Sequence, residues 1–127
     1  MKLRIKGNSL RFRLSKSEVE AFGKMGRIAE NLKFGSKAQD EFCYAIEKTA
    51  ANEISASFVG GRITVYVPEG LANRWVESEQ VGIEGIQKIY DQTELYILIE
   101  KDFVCRTAPE FEDQSDNYPH PKGERIC

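Results

Sequence analysis

The chain has 127 residues, 41% of them apolar and 30% charged, with a net charge of −2. That is the length and composition of one globular domain, and it argues against a disordered, collagen-like or disulfide-stapled chain. The charge is unevenly placed. Residues 1–37 hold ten Lys/Arg against three Asp/Glu, or +7, and residues 38–127 hold eight against seventeen, or −9. The asymmetry fits either an anion-binding face or internal pairing of a basic segment with an acidic one.

Leu3 and Ile5 alternate with Lys2, Arg4 and Lys6, and Leu10, Phe12 and Leu14 alternate with Arg11 and Arg13. The apolar phase changes at Gly7-Asn8, so these residues form either a bulge in one long strand or a two-residue hairpin turn. A hairpin would set Arg4 opposite Arg11 and Lys2 opposite Arg13, and like charges directly opposite are unfavourable. The bulged strand is therefore the expectation.

Ser15-Lys16-Ser17-Glu18 has capping-box spacing, and Val19 and Phe22 supply an apolar stripe, which predicts a short helix at about 15–25. Ile28, Leu32 and Phe34 suggest one strand, and Phe42, Tyr44 and Ile46, alternating with Cys43, Ala45 and Glu47, suggest another. From Ile54 to Val67 a Gly60-Gly61 turn would pair Phe58 with Ile63, Ala56 with Val65 and Ile54 with Val67 on one face. Ser57 with Thr64 and Ser55 with Tyr66 would then share the other. After Pro68, Leu71, Trp75 and Val76 mark a second short helix with Trp75 in the core. A last hairpin runs from Gly82 to Tyr90 and from Glu94 to Phe103. Its second strand is apolar on both faces, as a central strand would be.

From Cys105 onward three prolines and several acids break any periodicity. The expected organisation is one α+β domain over residues 1–104 and an irregular tail over 105–127. The tail would cross the domain on Phe111 and Tyr118, with Asp113 and Asp116 near the basic first strand. Internal repeats are expected to be absent. The charged start lacks the apolar stretch of a signal peptide, and the longest apolar run, Leu95 to Ile99, is far short of the roughly 20 residues of a membrane helix. With three sparse cysteines, Cys43, Cys105 and Cys127, the chain is expected in the cytoplasm.

Three sets of residues could carry chemistry. The cation row Lys2, Arg4, Lys6, Arg11 and Arg13 suits a phosphate-bearing ligand, or else pairs with Glu47, Glu84, Glu94 and Glu100 on neighbouring strands. Cys105, Asp113, Asp116, His120 and Cys127 have the residue types of a zinc site without the spacing of a standard module. Asp113, Ser115, Asn117 and Glu124 fall at calcium-loop spacing, but Tyr118 stands where glycine is required. Gly-x-Ser-x-Gly, phosphate-loop and metalloprotease motifs are missing, and there is one histidine, which points away from catalysis and names no cofactor. Acidic net charge without a recognition helix or aromatic platform points away from nucleic acid.

The segments Lys2 to Leu14, Lys101 to Cys105 and Glu112 to Pro119 resemble those of a small uncharacterised bacterial family with no assigned activity, and the resemblance spans nearly the whole chain. In layout the charged strands are also similar to the CYTH-like, or triphosphate-tunnel, architecture. That implies a mainly antiparallel sheet, strongly curved or partly closed into a barrel, with two short helices. The tunnel family opens on Glu-x-Glu-x-Lys, where this chain has Lys2-x-Arg4-x-Lys6; only Lys6 matches. Three functions follow as expectations. The first is a non-catalytic domain binding an anionic ligand or protein partner on the cation row. The second is a metal-dependent phosphohydrolase with Glu47, Glu84, Glu94 and Glu100 as replacement ligands. The third is a structural protein, for instance a homodimer.

Overall fold

The structure, a computed structural model, describes residues 1–104 and 113–119. Ten main elements follow in order: β1 (Lys2–Lys6), β2 (Ser9–Leu14), α1 (Lys16–Met25), β3 (Arg27–Lys33), β4 (Glu41–Thr49), β5 (Ser55–Val59), β6 (Arg62–Pro68), α2 (Glu69–Glu77), β7 (Gly82–Tyr90) and β8 (Thr93–Lys101). The α+β class and both helices are as expected. The sheet is not. Two separate four-stranded sheets form, in the orders β1-β2-β8-β7 and β3-β4-β6-β5, and they do not close into a barrel. Pairing within them is mainly antiparallel, as expected, in four of the six strand pairs; β2 runs parallel to β8 and β4 parallel to β6 at the centre of each sheet.

The first segment is a hairpin, which overturns the bulged-strand expectation: Lys2 pairs with Arg13, Arg4 with Arg11 and Lys6 with Ser9. The opposed cations are tolerated because carboxylates from β8 and the residue after it reach this face, as described below. Leu10, Phe12 and Leu14 of the hairpin are buried in the core. Gly60 and Gly61 both have positive φ, +57° and +74°, as a two-residue turn matched to strand twist requires. The pairs Phe58–Ile63, Ala56–Val65, Ser57–Thr64 and Ser55–Tyr66 all form.

The chain is a duplication that sequence reading missed. Strand, strand, helix, strand, strand occurs twice: a shift of 53 residues, the spacing from Gly7 to Gly60, maps β1, β2, α1 and β4 onto β5, β6, α2 and β8, and a shift of 55 maps β3 onto β7, so that Ile28 opposite Ile46 corresponds to Ile83 opposite Ile99. Under the shift of 53 Leu10, Phe12, Leu14, Val19 and Phe22 become Ile63, Val65, Val67, Ala72 and Trp75, and all ten are buried. The central registers are also preserved: Leu10 pairs with Ile97, and Ile63 with Tyr44. Ile46-Glu47-Lys48 and Ile99-Glu100-Lys101 repeat even in sequence. Each unit gives its first hairpin to one sheet and its second to the other, so neither half can bury its apolar face alone.

One core cluster draws on both sheets and both helices. The helices follow directly from the ends of β2 and β6, lie against each other, and close that end of the core with the edge-on ring pair Phe22–Trp75, centroids 6.3 Å apart. Trp75 is fully buried and its indole N–H donates to Val81 O at 3.0 Å. At the opposite end, where β2, β4, β6 and β8 begin, the sheets part around an apolar cleft.

Candidate functional site

Alternation on the first hairpin sends Leu3, Ile5, Leu10 and Phe12 inward and all five predicted cations outward, so the structure does assemble Lys2, Arg4, Lys6, Arg11 and Arg13 on one face. Carboxylates meet three of them. Glu100, only 8% exposed, accepts from Arg11 Nε at 2.7 Å and Arg13 Nε at 3.1 Å. Lys2 Nζ lies 2.7 Å from Asp102 Oδ2. Arg4 and Lys6 are exposed and have no ionic partner among the described residues. With Ser9 and Arg11 they line a polar hollow of about 310 Å³.

The second unit supplies an internal control. At the positions of Lys2, Arg4, Arg11 and Arg13 it carries Ser55, Ser57, Thr64 and Tyr66, in the same register. The architecture therefore folds with neutral residues there. The cations belong to this face and not to the fold.

The other predicted residues are dispersed. Glu47 pairs with Arg27 at 3.3 Å on the second sheet, while Glu84, Glu94 and Glu100 belong to the first. They do not converge as the tunnel reading needs, because Glu47 and Glu100 are each committed to arginines on different sheets. Among the described residues no group of three or more His, Cys, Asp or Glu is placed to hold a metal. Of the tail set, Cys105, His120 and Cys127 lie outside the described residues, as does Phe111. Asp113 binds the Ser115 amide at 2.9 Å. The Asp116 carboxylate is held at the start of α1, where it accepts from the Ser17 hydroxyl at 2.5 Å and amide at 3.3 Å and where the free amides and the helix dipole favour an anion; it makes no ion pair with the first strand among the described residues. Hydrogen bonds from Ser15 and Ser17 hold its carboxyl below the ordinary value. Tyr118 is docked against Phe103, ring centroids 5.8 Å apart, and its amide donates to Asp102 O at 2.8 Å.

Two residues that sequence reading passed over are Lys48 and Lys101, the last members of the repeated Ile-Glu-Lys triplet. Lys48 Nζ donates to Gly23 O at 2.9 Å and Asn73 Oδ1 at 2.7 Å, over the Phe22 ring; Lys101 Nζ donates to Ser78 O at 2.6 Å, over the Trp75 ring. Each thus satisfies a carbonyl at the end of a helix, where a cation also suits the dipole. Burial pushes the Lys101 ammonium below the ordinary lysine value, with Glu79 opposing. The repetition of this arrangement in both units makes it architectural. The repeated triplet was the signal that could have revealed it.

Fold and site define a class: a two-sheet α+β protein of two similar units, with a cationic outer face on the first hairpin of one unit and neutral residues at the equivalent positions of the other. The chain belongs to the DUF7009 family, a family of unknown function whose model matches residues 1–122. No curated protein and no solved structure matches it. Among the described residues no helix is long and apolar enough to cross a membrane.

Proposed function

We propose that this protein is a non-catalytic binding protein that takes a phosphate-bearing anion on the outer face of β1–β2, with Arg4, Lys6 and Arg11 as the principal contacts and Lys2 and Arg13 at the margin. The observation that carries the reading is the difference between the two hairpins. Opposed arginines are unfavourable to the strand pair, and Ser57 opposite Thr64 shows that the same register forms without them. Glu100 and Asp102 offset the repulsion at Arg11, Arg13 and Lys2 but not at Arg4 and Lys6. A bound phosphate would complete the compensation, with the Arg4 guanidinium fork and the Lys6 ammonium as donors.

The test is a titration of inorganic phosphate and triphosphate followed by amide NMR shifts at low and at raised salt. Specific binding moves the amides of residues 4–11, saturates, and weakens with salt. Arg4→Ser, which installs the residue of the second hairpin, should weaken triphosphate binding about tenfold, the worth of one charged hydrogen-bonding contact. Equal affinity in Arg4→Ser and the parent chain would sink the reading.

A further inference from the structure

We infer that the ligand is an amphipathic anion, one molecule with a phosphate head on the cationic face and an apolar body in the cleft at the open end of the sandwich. The inference rests on the anion-binding reading above and adds the chemistry of the rest of the ligand. The cleft, about 470 Å³, is of small-molecule size and almost wholly apolar. Six of its nine lining residues form three pairs of equivalent positions from the two units, Ile5 with Phe58, Leu10 with Ile63 and Phe42 with Leu95; Ala56, Ser57 and Ile89 complete it. Ile5 is 59% and Phe58 68% exposed, so large apolar side chains stand open to water at a concave site.

The occupant follows from what borders the cleft. Arg4, Lys6, Ser9 and Arg11 line the polar hollow, while Ile5 and Leu10, their immediate chain neighbours, line the cleft. The two cavities thus lie on the two faces of one hairpin, both beside its Gly7-Asn8 end, and a ligand that reaches both must cross that turn. A purely apolar ligand would leave the cations unused, and a bare phosphate would leave the cleft open. A second copy of the chain fits poorly, since a symmetric contact would bring each cationic hairpin towards its own like.

The experiment compares inorganic phosphate, a series from butyl to octyl phosphate kept below its aggregation concentration, octanol, and phospholipid vesicles, by calorimetry and amide NMR. Each added methylene should tighten binding about fourfold until the cleft is full, the value of burying one methylene. Ile5→Ser and Phe58→Ser, at exposed positions that leave the core intact, should flatten that dependence without changing the affinity for inorganic phosphate. Arg4→Ser should weaken every phosphate in the series alike. A flat chain-length dependence in the parent protein, with phosphate still bound, would overturn the inference and leave the anion site standing. Octanol binding as tightly as octyl phosphate, or binding to vesicles alone, would also overturn it. Failure of every phosphate to bind would remove both readings together.

Discussion

Gly23 and Val76 occupy equivalent positions in the two units and meet where α1 and α2 touch: a Cβ on Gly23 would lie 2.7 Å from Val76 Cγ1. The missing side chain on one helix makes room for the branched one on the other. Alanine in place of a mid-helix glycine ordinarily stabilises by about 1 kcal/mol. Here Gly23→Ala should instead destabilise by about 1–3 kcal/mol through overpacking. In a Val76→Ala background the same change should become neutral or stabilising. Urea melts of the four variants measure the sign reversal, and its absence would mean that the helices do not meet at these residues.

Glu100 holds Arg11 and Arg13 together on the cationic face. Glu100→Gln should cost about 1–3 kcal/mol, because two charge-assisted contacts are weakened at a largely buried side chain. The same change removes a competing internal anion, so phosphate affinity should rise severalfold. Added phosphate should then restore part of the lost melting temperature. Lower stability with unchanged phosphate affinity would confine Glu100 to a structural role.

Glu18 closes the start of α1, accepting from the Ser15 amide at 2.8 Å and from the ammonium of Met1. Burial raises its pKa, but the Met1 ammonium and the Ser15 hydrogen bonds outweigh that and hold it below the ordinary glutamate value. For an acid whose folded pKa is depressed, the contribution is present above the unfolded value and disappears as pH falls through the folded one. Stability should therefore decline below about pH 4.5. Glu18→Gln should lower stability at neutral pH by about 1 kcal/mol and flatten the acid limb. Parallel acid limbs in the two proteins would rule out this assignment.

Asp116 ties residues 113–119 to α1 through Ser17, and its own carbonyl accepts from the Lys16 amide at 3.0 Å. Asp116→Ala should speed hydrogen exchange at the Ser17 and Tyr118 amides while leaving the strands protected. Because this carboxylate sits at the helix and not on the cation row, phosphate affinity should not change. A gain in affinity would show that the segment does screen the cationic face.

The local elements were legible in the sequence because each was written in short-range chemistry. Ser15 and Glu18 bracketed α1, Gly60-Gly61 fixed the turn and register of β5–β6, and the doubly apolar run from Leu95 to Ile99 marked a central strand. The cation row was legible too, since alternation alone puts Lys2, Arg4 and Lys6 on one face. The β1–β2 hairpin was misjudged because the repulsion between Arg4 and Arg11 was visible in the sequence, whereas the relief came from Glu100, which lies close only once β8 is parallel to β2.

Sequence by itself determined which side chains alternate, which segments turn and which hairpin is charged, because those depend on neighbours in the chain. Only the tertiary structure decided that the hairpins are exchanged between two sheets, that Arg4 and Lys6 stay without ionic partners among the described residues while Arg11 and Arg13 share Glu100, and that the units meet at a cleft. The reason lies in the pairing of distant strands. The repeat was present in Ile46-Glu47-Lys48 and Ile99-Glu100-Lys101, but its meaning depends on parallel contacts between β2 and β8 and between β4 and β6, and burial across such contacts is a property of the closed core and not of any one segment.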